Sequence, residues 1–229
     1  MSKIRVLNAS VLKWIAVITM IIDHVGDVFF PEYEILRWIG RISFPLFAFL
    51  IAEGYKHTSD IRKYAVRLLI FALISEVPFD YCFHSTLFYP YKQNVFFELL
   101  LGLLTLYFID KEYVVKGKNI TIYCQLAIVA VSCGIAYIGQ FDYRYVGILV
   151  IVIMNYIRDY YKYLAPAIFV IYLIVYGVMN AVFVLIPIAI IYLYNGQRGA
   201  SAKKLKWVFY AIYPVQLVVI GLIRDYVVK

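Results

Sequence analysis

Residues 11–30 read VLKWIAVITMIIDHVGDVFF. Roughly 20 apolar residues rising 1.5 Å each match the ~30 Å hydrocarbon thickness of a bilayer. Further apolar runs of similar length follow, and the whole chain of 229 residues is 64% hydrophobic and 16% charged. Soluble domains are nearer half apolar and about a quarter charged. In lipid every backbone polar group needs an internal partner, which leaves helices or closed barrels. The pattern predicts one integral membrane domain over residues 1–229, an all-α bundle of transmembrane helices.

The first run is not uniformly apolar. It carries Asp23, His24 and Asp27 in its second half. An ionisable group inside a span costs about 2.5–3.5 kcal/mol on insertion scales, so such groups face a protein interior or a wet cavity. The plainer reading is an interfacial position or a structural pairing with a neighbouring helix. Adjacent residues do not share a helix face, whereas positions three or four apart do. Asp27 is therefore the intrahelical candidate to touch His24, and Asp23 is aimed elsewhere, toward Arg41 or Arg37.

Nine spans are expected at about 10–30, 42–57, 64–84, 95–110, 120–139, 144–158, 163–178, 179–195 and 205–224, from apolar run length. The count drops to eight if the seventh and eighth, separated only by Val178–Asn180, are one interrupted element. Lys3, Arg5 and Lys13 precede the first run and no small-residue cleavage site follows, which predicts an uncleaved span rather than a signal peptide. On nine spans, sixteen basic residues fall on the face of the N-terminus and six on the other. That asymmetry predicts a cytoplasmic N-terminus and explains the net charge of +8 without nucleic acid. The expected location is the cytoplasmic (inner) cell membrane, with several passes. Cys82, Cys124 and Cys133 are too widely spaced for a metal or redox motif.

On this plan polar groups from separated segments converge on the face opposite the N-terminus. They are Asp23 and His24, Arg37 and Arg41, Asp80, Gln93 and Asn94, and Asp142 and Tyr143. Glu53 lies toward the other face with His57 four residues on, a spacing that suits an interfacial pair or a polar channel wall. Glu76 and Asp80 are four apart across Pro78, which disturbs helical spacing. Asn94 either orients a substrate carbonyl or caps the next helix. Gln216 follows Pro214 inside the last apolar run. There is no Gly-rich phosphate loop, Ser-centred elbow or metal cluster in the sequence.

Seven stretches, in this order and spacing, resemble the TraX family, named for the F-pilin N-terminal acetyltransferase. They are LKWIAVITMIIDHVG, LRWIGRISFPLFAFLIAEGYKHT, LLIFALISEVPFD, QNVFFELLLGLL, FDYRYVGIL, YNGQRG and FYAIYPVQL. The resemblance covers nearly the whole chain. It implies a membrane acyltransferase using acetyl-coenzyme A or a related acyl-CoA, with no metal. Carried over by position, it points to Asp23, His24, Arg41, Glu53, Asp80, Asn94, Asp142 and Tyr143. Relatives often have histidine where this chain has Gln216, so pilin is not assumed as the substrate.

The expected chemistry is acyl transfer to an amine or hydroxyl on a peptide, glycan or small molecule, with His24 as general base. Asp23, Asp27 or Asp80 would orient the histidine or the acceptor, and Arg41 or Asn94 would meet the developing oxyanion. Glu53, Asp142, Tyr143 and Gln216 are the substrate-binding candidates. Arg62, Lys63, Arg67, Arg198, Lys203 and Lys204 are candidates for the coenzyme phosphates, although the orientation rule alone also predicts basic residues there. A proton-coupled transporter built on the Asp23, His24 and Asp80 cluster is the main rival. A third reading is an assembly or immunity-type membrane protein without chemistry.

Overall fold

The computed structural model describes residues 5–115, 118–199 and 206–227. Ten helices account for nearly all the regular structure among them: α1 (Ala9–Phe29), α2 (Glu34–Gly40), α3 (Ser43–His57), α4 (Ile61–His84), α5 (Val95–Ile109), α6 (Thr121–Ile138), α7 (Arg144–Tyr156), α8 (Tyr161–Tyr176), α9 (Val178–Tyr192) and α10 (Lys206–Val227). A small antiparallel pair, β1 (Val114–Val115) and β2 (Lys118–Asn119), joins α5 to α6. Several helix starts are written locally. Asn8, Asp60 and Asn94 accept the backbone N–H groups of Val11, Lys63 and Phe96 at 3.1, 3.0 and 3.0 Å, which satisfies donors that have no intrahelical partner.

The expectation of nine spans, or eight, is overturned. Four helices among the described residues are long and apolar enough to cross a membrane: Ala9–Phe29, Glu34–His57, Thr121–Ile138 and Trp207–Tyr226. Helices α5, α7, α8 and α9 have 15, 13, 16 and 15 residues. At 1.5 Å per residue they reach only about 20–24 Å, short of the ~30 Å hydrocarbon core. Helix α4 has 24 residues, but Arg62, Lys63, Arg67, Glu76 and Asp80 lie along it. The charge asymmetry that assigned a cytoplasmic N-terminus was counted on nine spans and loses its basis with them.

The second span also differs from its expected outline. It begins at Glu34 rather than near residue 42, because α2 and α3 run on as one 24-residue apolar segment. Arg37 and Arg41 are thus part of it and do not belong to a connecting loop. Helix α2 folds back along the end of α1, where Arg37 pairs with Asp23 at 3.0 Å and with Asp27 at 3.5 Å. The approach is close: a Cβ on Gly40 would stand 2.1 Å from Asp23 Oδ1, and one on Gly26 2.5 Å from Leu36 Cβ.

Helix α3 is the most enclosed element, burying Phe44, Leu46, Ala48, Phe49, Ile51 and Ala52. Five helices close a ring in which each packs on the next: α1 on α3, α3 on α5, α5 on α4, α4 on α10, and α10 back on α1. Helices α6 and α7 pack outside α5, and the α8–α9 pair packs on α7 and α3. Gly177, at φ +82°, makes the turn between α8 and α9, a backbone region that costs glycine little. The outer surface is apolar. On α6, Ile122, Leu126, Val131, Ile135 and Ile138 are exposed, as a lipid-facing helix requires.

At the end of the bundle where α1 begins, the buried Glu53 carboxylate takes both contacts from one nitrogen of Arg158, at 3.1 and 3.3 Å. His57 stands 4.0 Å from the same carboxylate.

Two outcomes follow for thermal unfolding in detergent. Gly40→Ala forces Asp23 off Arg37 and lowers stability by about 1–3 kcal/mol, the usual cost of overpacking; an unchanged midpoint would contradict the α1–α2 contact. Arg158→Leu leaves a buried carboxylate without its cation and costs about 3–5 kcal/mol. Adding Glu53→Leu restores most of that loss, and a double variant no better than the single one would refute the pairing.

Candidate functional site

His24 lies five residues before the end of α1 and is partly buried. Its only hydrogen bond among the described residues joins Nδ1 to the side-chain amide of Gln216 on α10, at 2.8 Å. Phe83 on α4 and Tyr213 on α10 meet the ring edge-on, with centroids 5.2 and 5.9 Å away. Neither aspartate on α1 touches it, since both turn to Arg37. The charges near enough to act on His24 come from other segments: Asp142 from the α6–α7 turn, Arg37 from α2 and Lys92 from the α4–α5 connection.

Asp23 is well enclosed, its side chain 15% exposed, and within electrostatic reach of Arg37, Arg41 and Asp142. Arg41 donates from Nε to Asn180 Oδ1 at 3.0 Å and lies over the Tyr176 ring. Asp142 pairs with Lys92 at 3.1 Å. Tyr143 stacks on Phe44 at 3.8 Å between centroids, and its phenol lies within reach of Arg41. Asp23, His24, Arg41, Asp142, Tyr143 and Gln216 therefore form one neighbourhood at the α2 end of the bundle.

Asp80 and Asn94 belong to an adjoining cluster. Asp80 is buried and accepts from Tyr89 N at 2.7 Å. Asn94 is fully buried: its oxygen caps α5, and its amide nitrogen donates to Ala72 O at 2.8 Å and to Glu76. Both ends of that amide are engaged, so the geometry expresses its capping role. Glu53 stands at the far end with Arg158. Arg62 and Lys63 are exposed, Lys63 pairing with Asp60 at 3.1 Å. Lys203 and Lys204 lie outside the described residues.

Two cavities flank this arrangement. The first, of about 480 Å³, is the inside of the five-helix ring. Its walls carry Lys13, Arg67 and Arg198 toward the start of α1, and Phe96 and Tyr213 toward His24. The second, of about 430 Å³, is lined by His84, Tyr89, Lys92, Asp142, Tyr143 and Tyr176 among others. Tyr213, which lines the first cavity, meets the imidazole edge-on, and Asp142, which lines the second, is within electrostatic reach of it. Among the described residues no three His, Cys, Asp or Glu side chains converge as a metal site requires.

Several participants were not singled out from the sequence. Glu98 on α5 is fully buried; it accepts from Tyr143 N at 3.1 Å, and a Cβ on Gly147 would stand 2.4 Å from its Oε1. It holds the turn that carries Asp142 and Tyr143. A lone carboxylate inside VFFELLLGLL is the same signal that drew attention to Asp23. Asn180 and Arg158 were detectable only as polar residues flanking apolar runs.

The sequence profile described as TraX protein matches residues 8–224. The probable fimbrial assembly protein FimC, serogroup H1, of Dichelobacter nodosus is 29% identical over 239 residues, covering 92% of this chain and 93% of the relative. An uncharacterized protein of Rickettsia prowazekii (strain Madrid E) is 32% identical over 143 residues, 62% of this chain and 52% of that protein. No solved structure matches. With the profile spanning the bundle and both cavities, the chain belongs to the TraX family of membrane acyltransferases.

Proposed function

We propose that this protein moves an acetyl or other short acyl group from a coenzyme A thioester to an amine or hydroxyl acceptor, with His24 as general base. One observation carries the reading: the imidazole meets edge-on the ring of Tyr213, a residue that lines the ring cavity. The acyl-pantetheine arm would occupy the first cavity, with the phosphates near Arg67, Arg198 and Lys13. The acceptor would come through the second. Its N–H or O–H proton passes to His24 as its lone pair attacks the thioester carbonyl carbon. The tetrahedral intermediate then collapses, the C–S bond breaks, and the leaving thiolate takes the proton back from the imidazolium. Base catalysis of this kind is worth about 10²–10⁴-fold.

Arg41 would meet the oxyanion, and Asp23 pairs with Arg37 beside it. Asp80 and Asn94 would hold the neighbouring backbone, through Tyr89 N and the start of α5. Glu53, through Arg158, braces the far mouth. The relative named as a fimbrial assembly protein makes the amino group of a fimbrial subunit one acceptor to try. The protein would act as a multi-pass protein of the cytoplasmic membrane.

Purified protein is expected to consume acetyl-CoA with a suitable amine, and His24→Ala to lower kcat by about 10²–10⁴-fold. Retained turnover would remove His24 as the base, and solute flux without thioester consumption would favour a transporter. Arg67→Ala with Arg198→Ala should raise KM for acetyl-CoA on the order of tenfold, about 1.4 kcal/mol, and leave KM for acetyl-pantetheine, which lacks the nucleotide phosphates, unchanged. Equal effects on both thioesters would place the phosphates elsewhere.

A further inference from the structure

The carboxylates that could steer the ring are engaged elsewhere: Asp23 and Asp27 both face Arg37. Gln216 is the group on Nδ1, at 2.8 Å. A neutral imidazole has one N–H and one bare nitrogen, and whatever binds one nitrogen decides the state of the other. A carboxamide can present either of two opposite atoms. Its NH2 donates to a bare Nδ1 and so leaves the proton on Nε2. Its oxygen accepts from Nδ1–H and leaves the Nε2 lone pair free.

We propose that Gln216 is a positioning residue that sets the tautomer of His24, turning its amide oxygen to Nδ1–H so that Nε2 is the nitrogen that takes the acceptor's proton. The inference rests on the reading of His24 as general base and assigns the partner that makes it one.

Three features support it. Gln216 is buried and its Oε1 has no hydrogen-bond partner, so a half-turn of the amide breaks no bond at the oxygen. Such terminal torsions are broad, and the two orientations have nearly the same shape. Once His24 accepts a proton, both ring nitrogens are donors. An NH2 facing Nδ1–H would then be donor against donor, and only the oxygen orientation serves the imidazolium. Finally, Phe83 and Tyr213 hold the ring edge-on, so Nδ1 stays directed at α10. Asp142, Arg37 and Lys92 act on the ring at longer range, with Asp23 and Asp27 beside it on α1. Among the described residues none of them hydrogen-bonds it.

The test uses the full chain labelled with ¹⁵N-histidine in detergent. The chain has 3 histidines, so the signal lost in His24→Ala identifies this one. Nitrogen shifts at neutral pH are expected to show a protonated Nδ1 and a bare Nε2. In Gln216→Met, which has no amide, the proton is expected to move to Nε2. Its kcat should fall about tenfold to a hundredfold, part of what a general base supplies, with KM for acetyl-CoA within about twofold. Gln216→Glu should restore Nδ1–H and activity. A wild-type spectrum with the proton on Nε2 would overturn the proposal even if the Met variant does not fold. So would a folded Gln216→Met protein with unchanged tautomer and kcat. If His24→Ala is inactive while Gln216→Met is normal, this inference alone falls. If His24→Ala is active, the general-base reading falls first.

Discussion

Arg37 reaches back from α2 to the carboxylate of Asp23 at 3.0 Å, and the placement of His24 depends on that contact. A carboxylate inside an apolar helix needs a partner, and an unpaired one is expensive. Arg37 supplies it and bridges on to Asp27. The bridge ties α2 against α1, where Gly40 and Gly26 allow the backbones to approach. With both aspartates committed to the same guanidinium, the imidazole between them in sequence turns to a different neighbour. It faces α10 and shares a hydrogen bond with Gln216.

The same requirement organises the rest of the bundle. Glu53 is answered by Arg158 at one end. Glu98 is answered by the backbone of Tyr143 near the other, and Asn94 closes the α4–α5 junction by binding Ala72 O and capping α5. Apart from the local cap on α5, these contacts join segments far apart in sequence. The result is a bundle apolar toward lipid and polar at chosen points inside, with a cavity of about 480 Å³ between five helices. Short helices such as α7 and α9 fit this plan, since they lean on α3 and do not each need to cross a bilayer.

Acyl transfer needs two substrates to reach one proton acceptor from different directions without mixing with bulk water. Two cavities near the proposed site, one edged by basic residues and one by tyrosines and Asp142, would suit two such substrates. Helix α10 completes the arrangement. It closes the ring against α1 and α4 and brings in Tyr213 and Gln216 together, one helical turn apart.

Much of this was legible in the chain. Apart from α2, the helices fall where apolar runs and capping residues put them, because both signals are local: Asn8, Asp60 and Asn94 each act within three residues. The polar residues inside apolar runs also marked the candidate site, since burying them has a cost that composition alone makes visible. The span count was misjudged, because 95–110 and 179–195 were counted as spans although the helices there have 15 residues each, too short for the hydrocarbon core. Helix α2 was not legible: its arginines looked like loop charges until Asp23 and Asn180 gave them partners. The sequence by itself determined which segments become helices and which side chains must find company. Only the tertiary structure decided whose company. A residue's electrostatic partner is chosen by proximity in space, and Gln216 stands 192 residues from the histidine it holds.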